Sequence, residues 1–493
     1  MTLREHSLLL NQLCLFCLWL KGQWQESAVY TVGVRCAEAL NRGLEESRIL
    51  CFFRADWDHG SGADQSRFTM PGLTLLIKVG NRAQTGGGFA AAVRESVILR
   101  LLDERCLLFF LCVTGFMIPF APTLLLLLLS MATFAVYALN ILLGRFQAEK
   151  PGLVGIFGLL FALCYLFSTL SGIAFPSSLE TGMMFLGLML IMPAAARLLK
   201  EDRYMDIFLV VMLLSGTLVA LYALYQYAIG ITADAAWVDS ELYPQLKTRA
   251  YSTFGNPNVM GEYLIPLICM GVAMLWKTKN KLGKLFFLGM TGIMALALLA
   301  SGSRGAMLGL AFAALMFALI ADHRLLPLLL VGVLLLPAVM PASLWVRFAA
   351  ILNGTDTSSL YRVAIYTSCF RMLRDYWLTG IGVGSFSLVY PLYFYTAANS
   401  YHAHNLFLQV GLEQGVVGFS VFVLLLLFWF QRLYRAIPGE KDPRRFLTGA
   451  LLGGMAGLLV QGMTDRLWFN YRIVLLFWLV LGMGLAAAGR KKQ

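Results

Sequence analysis

The sequence predicts an all-α polytopic membrane protein with about twelve transmembrane helices and one large external loop. Three observations predict it. Hydrophobic residues fill 59% of the 493 positions and charged residues 13%, with a mean hydropathy of +0.72. A soluble domain is about 45–50% apolar and about 25% charged. Apolar runs of membrane-crossing length recur from residue 106 onward. Lysine and arginine concentrate in alternate connections between those runs, which is the signature of loops kept on the cytoplasmic side. The formal charge of +12 is explained in the same way, so no nucleic-acid partner is expected.

Residues 1–104 differ from the rest and read as a cytoplasmic or interfacial region. "LLLNQLCLFCLWL" (8–20) is too short to span and is followed by no small-residue cleavage site. The stretch 26–53 mixes apolar and charged positions as an amphipathic helix does, and "DHGSGADQS" and "NRAQTGGG" read as linkers. The transmembrane domain covers 105–488. Its runs are 106–120, 122–143, 152–174, 178–196, 207–229, 259–276, 285–301, 305–321, 325–345, 405–431, 446–463 and 472–488. The basic connections include Arg145 and Lys150, Arg197 to Arg203, Lys277 to Lys284, and Arg432 to Arg445. They put both termini in the cytoplasm, including the basic tail 489–493, and make 346–404 the large external loop. The nine cysteines show neither disulfide-framework nor metal-ligand spacing and read as packing residues.

Polar groups at the external surface are the candidates for function, because ionisable residues at membrane depth are costly. Arg304 lies in the small-residue turn of "ALLASGSRGAMLGLAF", on the side where the positive-inside bias disfavours arginine. "SSLYRVAIYTSCFRMLRDYWLTGIGVGSF" reads as an amphipathic helix and glycine turn carrying Arg362, Arg371 and Arg374; residue chemistry alone does not choose among the three. "NSYHAHNLFLQVGLEQGVVG" holds two of the chain's five histidines, His402 and His404. Asn405 is a candidate N-cap, which holds His404 at a rigid helix start. Glu413 and Gln414 then fall within the membrane. In "TFGNPNVMGEYL", Asn256 can cap a helix with Pro257 in its first turn, and Arg249 lies just before. A histidine can take a proton from a hydroxyl, and arginines can bind a diphosphate. No carboxylate pair or metal cluster accompanies them in the sequence. That combination points to transfer from a diphosphate-linked donor.

These stretches resemble a known family. His404-Asn405, nine residues and Gly415-Val-Val-Gly418 are similar to the His-Asn, x9, Gly-x-x-Gly pattern of the O-antigen ligases. "SGSRGA", "YRVAIY…LTGIGVGSF" and "TFGNPNVMGEYL" resemble, in order, the other elements of the domain that ligases share with O-antigen polymerases. The likeness covers roughly 106–488. It departs from the family in the added N-terminal region and in Trp377-Leu378, where a proline is common. The resemblance implies a GT-C-like fold and a glycosyltransferase without metal or cofactor. Its donor is an undecaprenyl-diphosphate-linked glycan, and its acceptor is a lipid or glycan outside the cytoplasmic membrane. It implies diphosphate binding by Arg304 and Arg362, and His404 as the base. By position on the external side Arg249 is a further diphosphate candidate, and Asn405, next to the base, is counted among the substrate-binding candidates. His402 matches no motif position, and its loss is expected to be much milder. A surface-polysaccharide polymerase is the alternative within the class. A transporter or flippase is the alternative outside it, but no internal repeat is visible and the charged candidates gather at one surface.

Overall fold

The computed structural model describes residues 31, 35, 101–146, 152–231, 249–339, 357–394 and 400–490. The readings of the N-terminal region fall almost wholly outside these residues, as do 340–356 of the large loop. Every regular element among the described residues is a helix.

All twelve apolar runs carry helix. In chain order these are α1 (Glu104–Met117), α2 (Thr123–Leu142), α3 (Leu153–Leu170), α4 (Phe175–Met189), α5 (Ile191–Leu198), α6 (Asp202–Ala228), α7 (Pro257–Lys277) and α8 (Lys281–Ala300). There follow α9 (Arg304–Ile320), α10 (Leu326–Val339), α11 (Thr357–Tyr376), the single turn α12 (Phe386–Val389), α13 (Leu406–Arg435), α14 (Arg444–Gly462) and α15 (Tyr471–Ala488). Eight spans, counting α4 and α5 as one, are long and apolar enough to cross a membrane. The run 178–196 is broken at Leu190. Pro193 has no N–H, and a proline ring crowds the carbonyl four residues back, which is that of Met189, the last residue of α4.

Consecutive spans alternate in direction, and hydrogen bonds tie each end of the bundle. At the basic end Arg490 pairs with Asp202 and donates to the Leu199 carbonyl at 2.9 Å, and Arg445 donates to that of Ile320 at 3.0 Å. At the other end Arg472 donates to the carbonyls of Thr253 at 2.8 Å and Ala121 at 3.2 Å. The innermost helix is α7, buried on nearly every side, as expected of a helix apolar all round. Lipid-facing leucines on α2, α3 and α8, such as Leu128, Leu163 and Leu285, are exposed.

Two close approaches position the site. The first joins α9 to α14. A Cβ on Gly457 would lie 2.4 Å from the Gly309 carbonyl oxygen, and one on Gly309 2.6 Å from that of Gly457. Only glycines allow this backbone-to-backbone packing, a small-residue interface of membrane type. It sets the start of α9 against the end of α14.

The second is a break in α13 at Gly415, whose φ of 66° and ψ of −171° leave the helix. A Cβ there would meet the Leu378 carbonyl oxygen at 2.1 Å, so both the left-handed backbone and the contact require glycine. The lost helical bonds are replaced from the glycine turn after α11. Ile381 N–H donates to the Leu412 carbonyl at 2.8 Å, Gly382 N–H to that of Glu413 at 3.1 Å, and Val416 N–H to that of Trp377 at 2.8 Å. The Gly-x-Gly element and the Gly-x-x-Gly element are therefore two halves of one junction. Beyond the break, 416–435 is roughly 30 Å long at 1.5 Å per residue, enough to span alone. Glu413 and Gln414, expected within the membrane, fall in the short half before the break. A second small core, including Ile365, Met372, Ile381, Tyr390 and Leu412, fastens α11 over this half.

Candidate active site

The bundle end opposite the basic end gathers the starts of α7, α9, α13 and α15, the end of α14, and α11. His404 stands one residue before the N-cap of α13. Asn405 accepts from Leu408 N–H at 3.0 Å and donates from Nδ2 to the Met463 carbonyl at 2.9 Å. One bond caps the helix, and the other clamps it to the end of α14. Asn405 thus spends both ends of its amide on holding the loop. The Tyr366 hydroxyl donates to the His404 carbonyl at 3.0 Å, and His404 itself is left-handed with φ 47°. A non-glycine residue adopts that conformation at a cost of about 1–2 kcal/mol, so the surroundings must hold it.

His402 is one of the groups that hold it. Its Nδ1 accepts the His404 backbone N–H at 3.2 Å, and the two rings lie 4.0 Å apart. Its other face meets Phe469 at 4.6 Å. Burial, and then the neighbouring His404, push the His402 imidazole down to a pKa of about 3. It is therefore neutral and keeps the Nδ1 lone pair this bond needs. His402, which matches no motif position, thus holds the His404 backbone through this bond. His402→Ala should slow the reaction roughly tenfold, the worth of one lost buried hydrogen bond. His402→Asn, whose amide oxygen can stand in for Nδ1, should recover most of the rate. Equal loss in both variants, measured at matched protein level, would remove the hydrogen bond from the explanation.

Asp465 was not visible from the sequence. Its Oδ1 lies 3.5 Å from His404 Nδ1, long for a hydrogen bond but within ion-pair range. Unliganded catalytic pairs are often long and tighten on substrate. Both carboxylate oxygens are anchored, Oδ1 by Arg466 N–H at 2.8 Å and Oδ2 by Asn258 Nδ2 at 3.0 Å. Burial alone would raise the Asp465 pKa. Contact with His404 and its charge, then His402 and Arg362, override burial and hold the carboxyl below the usual carboxylate range. An ionised Asp465 facing Nδ1 favours the proton there, which leaves Nε2 with the lone pair that can accept a proton.

Two of the arginines singled out from the sequence, Arg249 and Arg362, lie close to this aspartate. Arg249 donates to Asn258 Oδ1 at 3.2 Å, and Asn258 in turn donates to Asp465. Asn258 follows Asn256, which caps α7 by accepting from Asn258 N–H at 2.8 Å. Arg362, on α11, donates through Nε to the Thr464 carbonyl at 3.0 Å. Arg304 is the first residue of α9, capped by Ser303, and its neighbour Gly305 packs directly on Gln461 and Thr464. Arg371 and Arg374 lie farther along α11, nearer the glycine turn.

A buried network supports the histidine loop from beneath. Glu413 Oε1 accepts from Gln409 Nε2 at 2.8 Å, Arg466 Nη2 at 3.0 Å and Gly384 N–H at 3.3 Å. Gln409 Oε1 then accepts the Ala403 N–H at 2.8 Å. The charge of Glu413 is thus met by Arg466, which the sequence reading also missed. The signal was present in "TDRLW", where two charges stand in a short connection between apolar runs on the sparsely charged side. Glu262, inside α7, accepts no hydrogen bond among the described residues.

Sequence spacing shows no metal cluster, yet the fold assembles a candidate one. His402, His404 and Asp465 offer one ligand atom each within 4.8 Å of one another. Two imidazoles and a carboxylate are a donor set that divalent transition metals accept. In the present arrangement His402 Nδ1 and both Asp465 oxygens already serve hydrogen bonds. Chemically, the site offers an imidazole base with an ionised partner, surrounded by guanidinium groups.

Residues 285–423 match the family described as Wzy_C, O-antigen ligase. The matched segment contains Arg304, Arg362, His404 and the Gly415 break, and ends before Asp465. No curated protein matches the chain.

Proposed function

We propose that this chain, a member of the O-antigen ligase/polymerase superfamily through residues 285–423, moves a glycan from an undecaprenyl-diphosphate carrier to an acceptor hydroxyl. The observation that carries the reading is the pairing of His404 with Asp465 beside Arg362 and, through Asn258, Arg249. In the reaction, His404 Nε2 takes the proton of the acceptor hydroxyl. The oxygen attacks the anomeric carbon of the donor's first sugar, and the bond from that carbon to the diphosphate breaks. Arg304 and Arg362, with Arg249 behind Asn258, neutralise the departing diphosphate, and their fork-shaped donors suit its oxygens. Asp465 stabilises the imidazolium that forms. The site faces outward because the opposite end of the bundle carries the basic connections. Proton abstraction by His404 and charge neutralisation by arginine account for the chemistry without a metal.

Membrane vesicles of defined orientation, loaded with a purified lipid-linked oligosaccharide, test this reading. A membrane-impermeant acceptor added outside should be glycosylated by right-side-out vesicles and not by inside-out ones, with or without a chelator. Transfer only from inside-out vesicles would reverse the orientation. Loss of transfer on chelation would give the His402, His404 and Asp465 cluster to a metal. Running lipid A-type and lipid-linked glycan acceptors in parallel separates ligase from polymerase.

A further inference from the structure

The described residues include two polar cavities, one at each end of the bundle. The cavity at the basic end is lined by Arg444 and Arg490, and each of these holds a carboxylate, Asp442 and Asp202 respectively. Their charges are already met. The cavity at the His404 end differs. It has a volume of about 510 Å³, and its walls include Thr123, Thr253, Phe254, Phe469, Asn470 and Arg472. Arg472 has no carboxylate within ion-pair range among the described residues. Its guanidinium is nonetheless fixed in place, with Nη1 on the Thr253 carbonyl, Nη2 on that of Ala121, and its carbon 5.6 Å from the centre of the Phe254 ring. Two of its five N–H donors make these bonds, so the group is oriented but its charge is not neutralised. The Thr253 hydroxyl, in the same wall, is buried and has no hydrogen-bond partner. Phe469 is 52% exposed, and its ring touches His402 at 4.6 Å.

A fixed unpaired cation, an unpartnered hydroxyl and an open aromatic face are the parts of a site for a charged sugar. The guanidinium takes a carboxylate or phosphate, the hydroxyl takes a ring hydroxyl, and the aromatic face takes the apolar face of the pyranose. Membrane position supports this reading, since an arginine on the side poor in basic residues runs against the usual bias. We infer that the cavity around Arg472 is a subsite for an acidic sugar residue of the glycan substrate, set against the active site across Phe469. The inference rests on the glycosyltransferase reading for its substrate class, but its test does not require turnover.

The test is a saturation-transfer NMR titration of the purified full chain with methyl β-glucuronide, methyl β-glucoside and inorganic pyrophosphate. The glucuronide should bind the wild type. Its affinity should fall by roughly tenfold or more in Arg472→Gln and by about three- to tenfold in Thr253→Val, as expected for a charged and a neutral hydrogen bond. Thr253→Val removes no existing hydrogen bond, so it reports on the cavity even where Arg472→Gln lowers stability. His404→Ala should retain glucuronide binding while losing transfer, which separates this inference from the proposed reaction. Equal binding of the uncharged glucoside would overturn the inference. So would glucuronide binding insensitive to both cavity variants, or Arg472-dependent binding of pyrophosphate alone.

Discussion

His404→Ala is expected to lower glycan transfer by on the order of 10²–10⁴, the usual contribution of a general base. Protein level and donor binding should stay close to wild type. The reason lies in how the residue is held. The backbone around His404 is fixed by the Asn405 cap, the Tyr366 hydroxyl and the His402 ring, none of which uses the His404 imidazole as its anchor. Removing the ring therefore removes the base and leaves its frame. The measurement is initial rate with purified lipid-linked donor, alongside donor binding by equilibrium titration. A wild-type rate in His404→Ala would take the histidine out of the chemistry altogether.

Asp465→Asn should cost a comparable amount, on the order of 10²–10⁴ in rate. The amide cannot favour the imidazolium, and it also conflicts with the bonds already present. Both Asp465 oxygens accept from donors, Arg466 N–H and Asn258 Nδ2. An asparagine has only one oxygen, so its amide nitrogen must face one of those donors. Asn258 cannot turn over to oblige without giving up the oxygen that accepts from Arg249. The double variant His404→Ala/Asp465→Asn distinguishes a working pair from two separate contributions. If the aspartate acts through the histidine, the double variant is no slower than His404→Ala alone. Multiplicative losses would instead give Asp465 a role of its own, such as metal binding or direct contact with substrate.

The transmembrane part of the fold was legible because hydrophobic runs are a property of local composition. Each predicted run holds a helix, and Pro193 marks a break that its own missing N–H explains. The break at Gly415 was harder to see. Its glycine sits in an apolar run like many others, and what makes it a break is the Leu378 carbonyl and three hydrogen bonds from a distant turn. The site divided in the same way. Arg304, Arg362 and His404 stand in quoted motifs, whereas Asp465 is a lone carboxylate that reaches His404 only because α14 returns to the same end. Arg472 was passed over for a similar reason. One arginine beside an apolar run looks like a helix end, and its cavity exists only after the start of α2, the turn before α7 and the start of α15 meet.

The break in α13 also imposes an order on biogenesis. Residues 377–382 leave the ribosome before 412–416, so the bonds over Gly415 join an earlier segment to a later one. The closed junction gives the Leu412 and Glu413 carbonyls the donors that the break at Gly415 takes from them. The start of α13, and with it the backbone of His404, therefore takes its final form only after the earlier glycine turn has docked.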